Sequence, residues 1–160
     1  MGQEIFSILL VDDEKNERKG IEKLIQKNGY PLEIFQAENG IEALKIFKNR
    51  KIDILLTDIK MPFMDGIKLM KEIHKEGWSP VCIIYSAYGE FEYAQNAIVL
   101  GVIQYLLKPV RLNEFKSLFE KVLVICRTKK EQEEQKIRFF EEYETQSKQY
   151  QHQAEQASQQ

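Results

Sequence analysis

Short apolar runs alternate with amphipathic segments from residue 4 to about residue 126. Runs of about four to eight apolar residues predict buried strands, and apolar residues three or four positions apart predict helices. We therefore predict five strands, at Ile5–Val11, Leu32–Ala37, Ile52–Thr57, Val81–Tyr85 and Val102–Leu107. The predicted helices are Glu14–Lys27, a helix capped by Asn39, a helix opened by Asp65-Gly66, Phe91–Leu100 and Leu112–Cys126.

Continuous apolar strands that are separated by helices indicate βαβ crossovers and a parallel sheet covered on both faces, which is an α/β fold. Such open sheets place their ligands outside the carboxyl ends of the strands. The helices have apolar stripes that we expect to be buried, among them Ile41, Leu44, Ile46 and Phe47 in the second helix, and Leu118, Val122 and Ile125 in the last.

The composition changes after Thr128, and we predict a helical linker or flexible tail at 127–160 beside a domain at 4–126. Residues 129–144 are charged, with Ile137, Phe140 and Tyr143 at three-residue steps. A coiled coil is an alternative, but these apolar positions are too few to establish heptads. Residues 146–160 are rich in glutamine and are expected to be flexible.

The composition also limits the possible partners and compartments. The net charge of -2 gives no strong field for nucleic acid or an anionic membrane, so we predict that these residues do not bind DNA directly. No apolar run approaches the length of about 20 residues that spans a bilayer, and no signal-peptide pattern opens the chain. Cys82 and Cys126 lie in apolar patterns without a CxxC spacing. These features favour a cytoplasmic protein with no membrane association.

Polar side chains stand at the ends of four of the five predicted strands. Asp12 and Asp13 follow the first strand, and Asp58, Ser86 and Lys108 follow the third, fourth and fifth. Any one of these residues alone would be unremarkable, because acidic residues at strand ends are often helix caps or solvated loop residues. Because the carboxyl ends of parallel strands meet along one edge, their coincidence indicates a functional site.

Three neighbouring carboxylates repel one another unless a cation neutralises them. An all-oxygen cluster with few protein ligands suits Mg²⁺, which prefers to share its coordination with phosphate oxygens. Asp58 is then a plausible nucleophile for phosphorus, since a carboxylate can form an acyl phosphate. Lys108 and Ser86 can bind phosphoryl oxygens through an ammonium and a hydroxyl.

Four segments occur in a recognisable order: Leu9–Glu14, Thr57–Gly66, Ser86-Ala87 and Tyr105–Pro109. As a set they closely resemble the receiver domains of two-component response regulators, over roughly residues 4 to 126. The resemblance implies a flavodoxin-like (βα)5 fold, a doubly wound parallel sheet of five strands in the order 2-1-3-4-5, with a C-terminal helical or flexible tail.

The resemblance also implies roles for the acidic residues. Asp58 would be the phosphoacceptor, and Asp12 and Asp13 would be the acidic pair that binds Mg²⁺, with Asp13 as a direct ligand. The backbone carbonyl of Lys60 would complete the share of the coordination that the protein supplies.

Further roles concern the response to phosphorylation. The resemblance implies that Ser86 is the switch hydroxyl, that Tyr105 is the aromatic residue that swings inward behind it, and that Lys108 binds a phosphoryl oxygen. The family's Lys-Pro peptide is usually cis, so we expect a cis bond between Lys108 and Pro109.

By the same resemblance, a sensor histidine kinase would supply the phosphoryl group. The chain itself would catalyse only its own phosphotransfer and autodephosphorylation, so it would not be an enzyme in the usual sense. Phosphorylation would change the surface of the fourth helix, fifth strand and fifth helix, here roughly Glu90 to Leu123, and favour a homodimer.

The output of the domain is suggested by a subgroup resemblance. Gly89–Gln95, Gly101 and Tyr105–Val110 are similar to receivers that precede AraC-type DNA-binding domains, which implies control of transcription. No second globular pattern follows residue 128. Either a DNA-binding domain lies outside this chain, or the receiver stands alone with a tail.

Two other classes of protein share parts of this pattern. A Mg²⁺-dependent phosphohydrolase of the haloacid dehalogenase type also uses an Asp nucleophile. Such enzymes carry the pattern Asp-x-Asp, whereas here Lys60 stands at the position of the second Asp. A pseudo-receiver keeps the fold without phosphorylation, but such modules usually lack the acidic pair, the phosphoacceptor or the lysine, and all of these are present.

Overall fold

A computed structural model describes residues 4–87, 90 and 103–159. Its strands are β1 (Phe6–Val11), β2 (Leu32–Ala37), β3 (Ile54–Thr57), β4 (Val81–Ala87) and β5 (Ile103–Lys108). The helices are α1 (Lys15–Lys27), α2 (Gly40–Asn49), α3 (Gly66–Lys75) and α4 (Leu112–Ser158). The fourth helix that the sequence predicts, Phe91–Leu100, lies outside the described residues, so α4 here is the helix predicted to follow β5.

The five strands form one parallel sheet in the order β2-β1-β3-β4-β5, which confirms the predicted α/β topology. Val11 is paired with Thr57, and Thr57 is paired with Ile84. This register puts the ends of β1 and β3 at the same level, so the residues that follow these two strands, Asp12 and Asp58, leave the sheet side by side.

The central strands are buried because helices cover both faces of the sheet. All six residues of β1 and all four residues of β3 are buried. Leu9, Leu55 and Ile84 are fully excluded from solvent and belong to one apolar cluster. The polar groups at the carboxyl edge therefore stand on a rigid base.

Side-chain caps set the starts of two helices, and the buried face of α2 differs from the prediction. The side chains of Asn39 and Asp65 accept hydrogen bonds from backbone amides three residues later. In α2 the buried residues are Gly40, Ala43 and Phe47, whereas Ile41 is 45% exposed. The prediction for Ile41 was wrong because Gly40, Ala43 and Phe47, at steps of three and four, form the buried face, and Ile41 lies outside it.

The buried face of α4 also needs a correction. Phe115 and Phe119 are fully buried, with ring centroids 4.2 Å apart, and Tyr30 stacks on Phe119. Val122 is buried as predicted, but Leu118 is only half-buried. Ile125 is also half-buried. The aromatic residues at a four-residue step bury the most area and so determine which side of the helix faces the sheet.

The chain divides into two compact units, Met1–Val122 and Leu123–Gln160. Residues 146–158, which the sequence analysis assigned to a flexible stretch, are helical, since α4 ends at Ser158. Glutamine, glutamate, lysine and alanine are good helix formers, and no glycine or proline occurs after Pro109. Among the described residues, no helix is long and apolar enough to cross a membrane.

Candidate phosphoryl and metal site

Three carboxylates meet at the carboxyl edge of the sheet, as predicted from the strand ends. Oxygens of Asp12, Asp13 and Asp58 lie within 4.8 Å of one another. Asp12 is buried, Asp58 is half-buried and Asp13 is exposed. The group therefore opens to solvent on one side, which is the arrangement that a hydrated divalent cation and an incoming phosphate require.

Lys108 joins two of these carboxylates from the last position of β5. Its ammonium donates hydrogen bonds to Oδ2 of Asp12 and to Oδ2 of Asp58, both at 3.0 Å. We call Lys108, Asp12 and Asp58 the ionic cluster. Because β4 separates β5 from β3, the long lysine side chain has to cross the end of β4 to reach these carboxylates.

The surroundings of the ionic cluster change the proton affinity of two of its members. Burial raises the pKa of Asp12, although the amide of Glu14 and the ammonium of Lys108 counteract it. Burial alone would lower the pKa of Lys108, but its bonds and charge interactions with Asp58 and Asp12 outweigh this effect and raise the pKa. Lys108 therefore remains a cation at neutral pH.

Tyr85 lies beneath the lysine and was not identified as a site residue from the sequence. The ammonium of Lys108 is 5.0 Å from the centre of the Tyr85 ring, within the range of a cation–π interaction. The Tyr85 hydroxyl donates to the carboxylate of Glu17 at 3.2 Å. Burial and the Glu17 charge raise the pKa of this phenol. A hydroxyl-bearing ring inside an otherwise apolar strand, next to Ser86, was the available signal.

The backbone around Asp58 is fixed by its neighbours. Asp58 Oδ1 accepts a hydrogen bond from the amide of Ile59 at 2.7 Å. Gly66 approaches so closely that a Cβ atom there would overlap the carbonyl oxygen of Asp58, and the Gly66 amide donates to the carbonyl of Ile59. From the sequence, Gly66 was predicted only to begin a helix. The close contact of Gly66 with the backbone of Asp58 could be recognised only once the fold was known.

Arg18 supports the acidic pair from α1 and was also missed. It is buried, and its guanidinium donates to the backbone carbonyl of Asp12 at 2.6 Å and to the side chain of Gln36 at 3.1 Å. Arg18 precedes Ile21 by three positions and Ile25 by seven, so it lies on the buried face of α1. The spacing of this arginine from Ile21 and Ile25 could have predicted a buried cation that binds backbone oxygens.

Ser86 and Tyr105, the predicted switch residues, contact each other. Their hydroxyl oxygens are 2.7 Å apart, and Ser86 is fully buried. The Tyr105 hydroxyl also donates to the carbonyl of Ala87 at 3.3 Å, which leaves Ser86 as the donor to Tyr105. We call Ser86 and Tyr105 the hydroxyl pair. Their roles as switch residues remain predictions.

The loop after β3 and the peptide after β5 contain the two remaining predicted features. Lys60 is exposed, and its ammonium is 3.7 Å from the carboxylate of Glu90. The metal-binding role of its backbone carbonyl remains a prediction. The peptide between Lys108 and Pro109 is cis, as expected.

Comparisons with known proteins identify relatives of this chain. The sequence profile of the response regulator receiver domain matches residues 8–120. The uncharacterized transcriptional regulatory protein YesN of Bacillus subtilis is 36% identical over 120 residues, which are 74% of this chain and 33% of that protein. Sporulation initiation phosphotransferase F of the same organism is 35% identical over 116 residues, 72% of this chain and 92% of that protein.

Solved structures give the same result. The receiver domain of the response regulator AraT from Geobacillus stearothermophilus matches with a TM-score of 0.73 and 35% identity, over 79% of this chain and 99% of that one. A two-component transcriptional regulator AraC from Clostridium phytofermentans matches with a TM-score of 0.68 and 33% identity, over 77% and 96%. The chain spans only 33% and 27% of the curated relatives YesN and AtoC (Escherichia coli).

Proposed function

We propose that this chain, which belongs to the response regulator receiver domain family, accepts a phosphoryl group on Asp58 from a sensor histidine kinase. Receiver domains interact with such kinases in two-component signalling, and they are signalling modules, not classical enzymes. The ionic cluster is the observation that carries the proposal. In it Lys108 is bonded to both Asp12 and Asp58 at the edge of the sheet where a phosphate would enter.

The proposed transfer is an in-line displacement at phosphorus. A carboxylate oxygen of Asp58 forms the new oxygen–phosphorus bond, and the phosphorus–nitrogen bond to the kinase histidine breaks, with its electron pair returning to the imidazole. Lys108 balances negative charge on the phosphoryl oxygens, because its raised pKa keeps it protonated. The amide of Ile59, already bonded to Asp58 Oδ1, holds the carboxylate in place.

The acidic residues fit a magnesium ion. Asp12, Asp13 and Asp58 offer oxygens within 4.8 Å of one another, and we propose that these residues and the Lys60 carbonyl hold Mg²⁺. When bound, this ion would neutralise charge on the phosphoryl group and on the acidic pair. Asp12, the buried member, is held by Arg18 and by the amide of Glu14, so it is oriented before any ligand arrives.

The proposed response to phosphorylation begins at the hydroxyl pair. A phosphoryl oxygen is a stronger acceptor than the phenol oxygen of Tyr105, so the Ser86 hydroxyl would exchange one partner for the other. Tyr105 would then turn inward and change the surface at roughly residues 90–123, where we propose that a homodimer forms. The names of YesN and of the AraC regulator from Clostridium phytofermentans support control of transcription. We propose that this control occurs in the cytoplasm, through a DNA-binding domain outside this chain.

Intact-mass spectrometry after incubation with Mg²⁺ and acetyl phosphate tests the proposal. The wild-type chain is expected to gain one phosphoryl group, and Asp58→Asn is expected to gain none. Asp53→Asn is the matched control, because Asp53 lies before β3, bonded to Ser7, and not at the carboxyl edge. An adduct on Asp58→Asn would assign the acceptor elsewhere, and no adduct on the wild type would favour a pseudo-receiver.

A further inference from the structure

The unit Leu123–Gln160 carries a regular stripe of small and aromatic residues along its helix. These residues follow one another at alternating steps of three and four, which is the spacing of a coiled-coil seam. We call this set the tail stripe: Phe140, Tyr143, Ser147, Tyr150, Ala154 and Ala157. Three aromatic side chains thus face the same side of the helix as three small ones.

The tail stripe is exposed to solvent within this unit. Phe140 and Tyr143 are each 63% exposed and Tyr150 is 74% exposed, and among residues 131–159 only Ser147 is half-buried. Helices in proteins gain most of their stability by packing an apolar face and not from the propensity of their residues. A helix that holds three aromatic residues in water on one side is therefore poised to pack against a partner.

We propose that the tail stripe binds the tail stripe of a second copy of this chain, with the two helices antiparallel. When the helices are centred between Lys148 and Gln149, each layer contains one large and one small residue. Phe140 faces Ala157, Tyr143 faces Ala154, and Tyr150 faces Ser147. Alternation of large and small side chains across facing positions is what allows two helices to interdigitate closely.

The charges beside the stripe favour this partner. Four of the positions that flank the stripe after Glu144 are neutral: Gln146, Gln151, Gln153 and Ser158. The charged Lys148 and Glu155 lie on the outer side of the helix. A partner with charged flanks would leave its charges unpaired against these residues, whereas a second copy offers glutamine side chains that can hydrogen-bond with them.

The residues before Phe140 select the antiparallel arrangement. The same three-and-four spacing continues backwards through Lys136, Glu133 and Lys129. Parallel helices in register would place each of these charges against its own copy at the seam, where like charges repel. Antiparallel pairing over residues 140–157 leaves all three outside the paired segment. The proposed contact does not involve Asp58 and differs from the surface at residues 90–123, so it goes beyond the proposed function.

Sedimentation velocity of the 160-residue chain, over about a hundredfold range of concentration and without phosphodonor or Mg²⁺, tests the interface. The wild type is expected to dimerise reversibly. Ala154→Glu places a charge in the seam and is expected to weaken the dimer at least about tenfold. Gln156→Glu adds the same charge on the outer side and is expected to leave the dimer unchanged. A monomeric wild type, or equal behaviour of the two variants, would overturn the proposal.

Disulfide cross-linking tests the orientation. Phe140→Cys and Ala157→Cys are mixed in equal amounts, oxidised mildly and mapped by peptide mass spectrometry. Antiparallel pairing gives the mixed disulfide between positions 140 and 157. Parallel pairing would separate these two positions by roughly 25 Å along the axis. It would give only disulfides between identical positions, and that result would overturn the antiparallel proposal.

Discussion

The ionic cluster and the hydroxyl pair lie at the same edge of the sheet but are held by forces of different strength. Lys108 makes two charge-assisted bonds at 3.0 Å to Asp12 and Asp58, across the ends of β1, β3 and β5. The hydroxyl pair joins only the neighbouring strands β4 and β5, through neutral bonds: the two hydroxyl oxygens are 2.7 Å apart, and Tyr105 also donates to the carbonyl of Ala87 at 3.3 Å. Bonds to charged groups contribute about 1.5–3 kcal/mol, roughly twice as much as neutral ones.

This difference in bond strength indicates that the ionic cluster and the hydroxyl pair have different roles in the site. Charge attraction makes the ionic cluster a fixed feature that is in place before a phosphoryl group arrives. The bond within the hydroxyl pair is weak enough for a phosphoryl oxygen to replace it. We therefore expect substitutions in the ionic cluster to affect the chemistry and stability strongly, and substitutions in the hydroxyl pair to affect mainly the response.

Removal of the lysine is expected to have the largest effect. Lys108→Met leaves Asp12 and Asp58 uncompensated, so the free energy of unfolding without Mg²⁺ should fall by about 1–3 kcal/mol. Phosphorylation by acetyl phosphate should slow by about a hundredfold or more, because a donor to the phosphoryl oxygens is lost. Denaturant unfolding and intact-mass time courses measure the two effects. Lys60→Met is the control, since the Lys60 side chain is 80% exposed. Equal effects of Lys108→Met and Lys60→Met would contradict the stronger role of the ionic cluster.

The stability that Lys108 contributes should depend on pH in a defined direction. Its pKa is raised in the folded chain, from an ordinary value of 10.5. The folded state therefore binds the proton more tightly, and the contribution is complete below this ordinary value and is lost as the pH rises through the higher folded pKa. The difference in unfolding free energy between wild type and Lys108→Met should shrink above about pH 10. A difference that grows with pH would contradict the assignment.

A methyl group at Gly66 should disturb the chemistry without removing any charge. In Gly66→Ala the new Cβ overlaps the carbonyl of Asp58, so the backbone at the acceptor must move. We expect a loss of about 2 kcal/mol in unfolding free energy and phosphorylation that is about tenfold slower. In Gly20→Ala the new Cβ meets nothing within 4 Å on the exposed face of α1. This control should gain up to about 1 kcal/mol, and an equal loss in both variants would show that the contact with Asp58 is unimportant.

The hydroxyl pair should show smaller and unequal effects. Ser86→Ala removes the proposed donor to the phosphoryl group and should slow phosphorylation by less than about tenfold. Tyr105→Phe removes the other half of the same bond, but it should leave the rate within about twofold, because in the proposed response Tyr105 binds Ser86 only before phosphorylation. The phosphorylation rates of the two variants, measured side by side with acetyl phosphate, compare the hydroxyl pair with the ionic cluster. A Tyr105→Phe defect as large as that of Lys108→Met would show that the two groups act as one.

Tyr85 is expected to contribute indirectly, through the position of the lysine. Tyr85→Leu removes the ring beneath the ammonium and should slow phosphorylation severalfold, whereas Tyr85→Phe keeps the ring and should stay within about twofold. The methylene protons of Lys108 next to the nitrogen provide a direct readout by NMR. Their ring-current shift should persist in Tyr85→Phe and disappear in Tyr85→Leu. A shift that is insensitive to Tyr85→Leu would mean that the ring does not position the lysine.

The sequence predicted the residues of the ionic cluster better than the residues that hold the cluster in position. Strand ends in a parallel sheet must share an edge, so the meeting of Asp12, Asp58 and Lys108 followed from the order of the apolar runs alone. Gly66 was missed as a support because its contacts are with backbone atoms of Asp58 and Ile59, which carry no signal in the sequence. Arg18 was missed although its spacing from Ile21 and Ile25 placed it on the buried face of α1. The exposure of Ile41 was also missed, because Gly40, Ala43 and Phe47 form the buried face of α2 and Ile41 lies outside that face.

Localisation of the phosphoryl group tests the central claim most directly. The chain is phosphorylated by acetyl phosphate with Mg²⁺, reduced with borohydride, which converts an acyl phosphate of aspartate to homoserine, and digested for peptide mass spectrometry. We predict homoserine at position 58 alone, in the wild type and in Tyr105→Phe, and none in Asp58→Asn. Homoserine at position 12 or 13, or none in the wild type, would contradict the assignment of Asp58 as the phosphoacceptor.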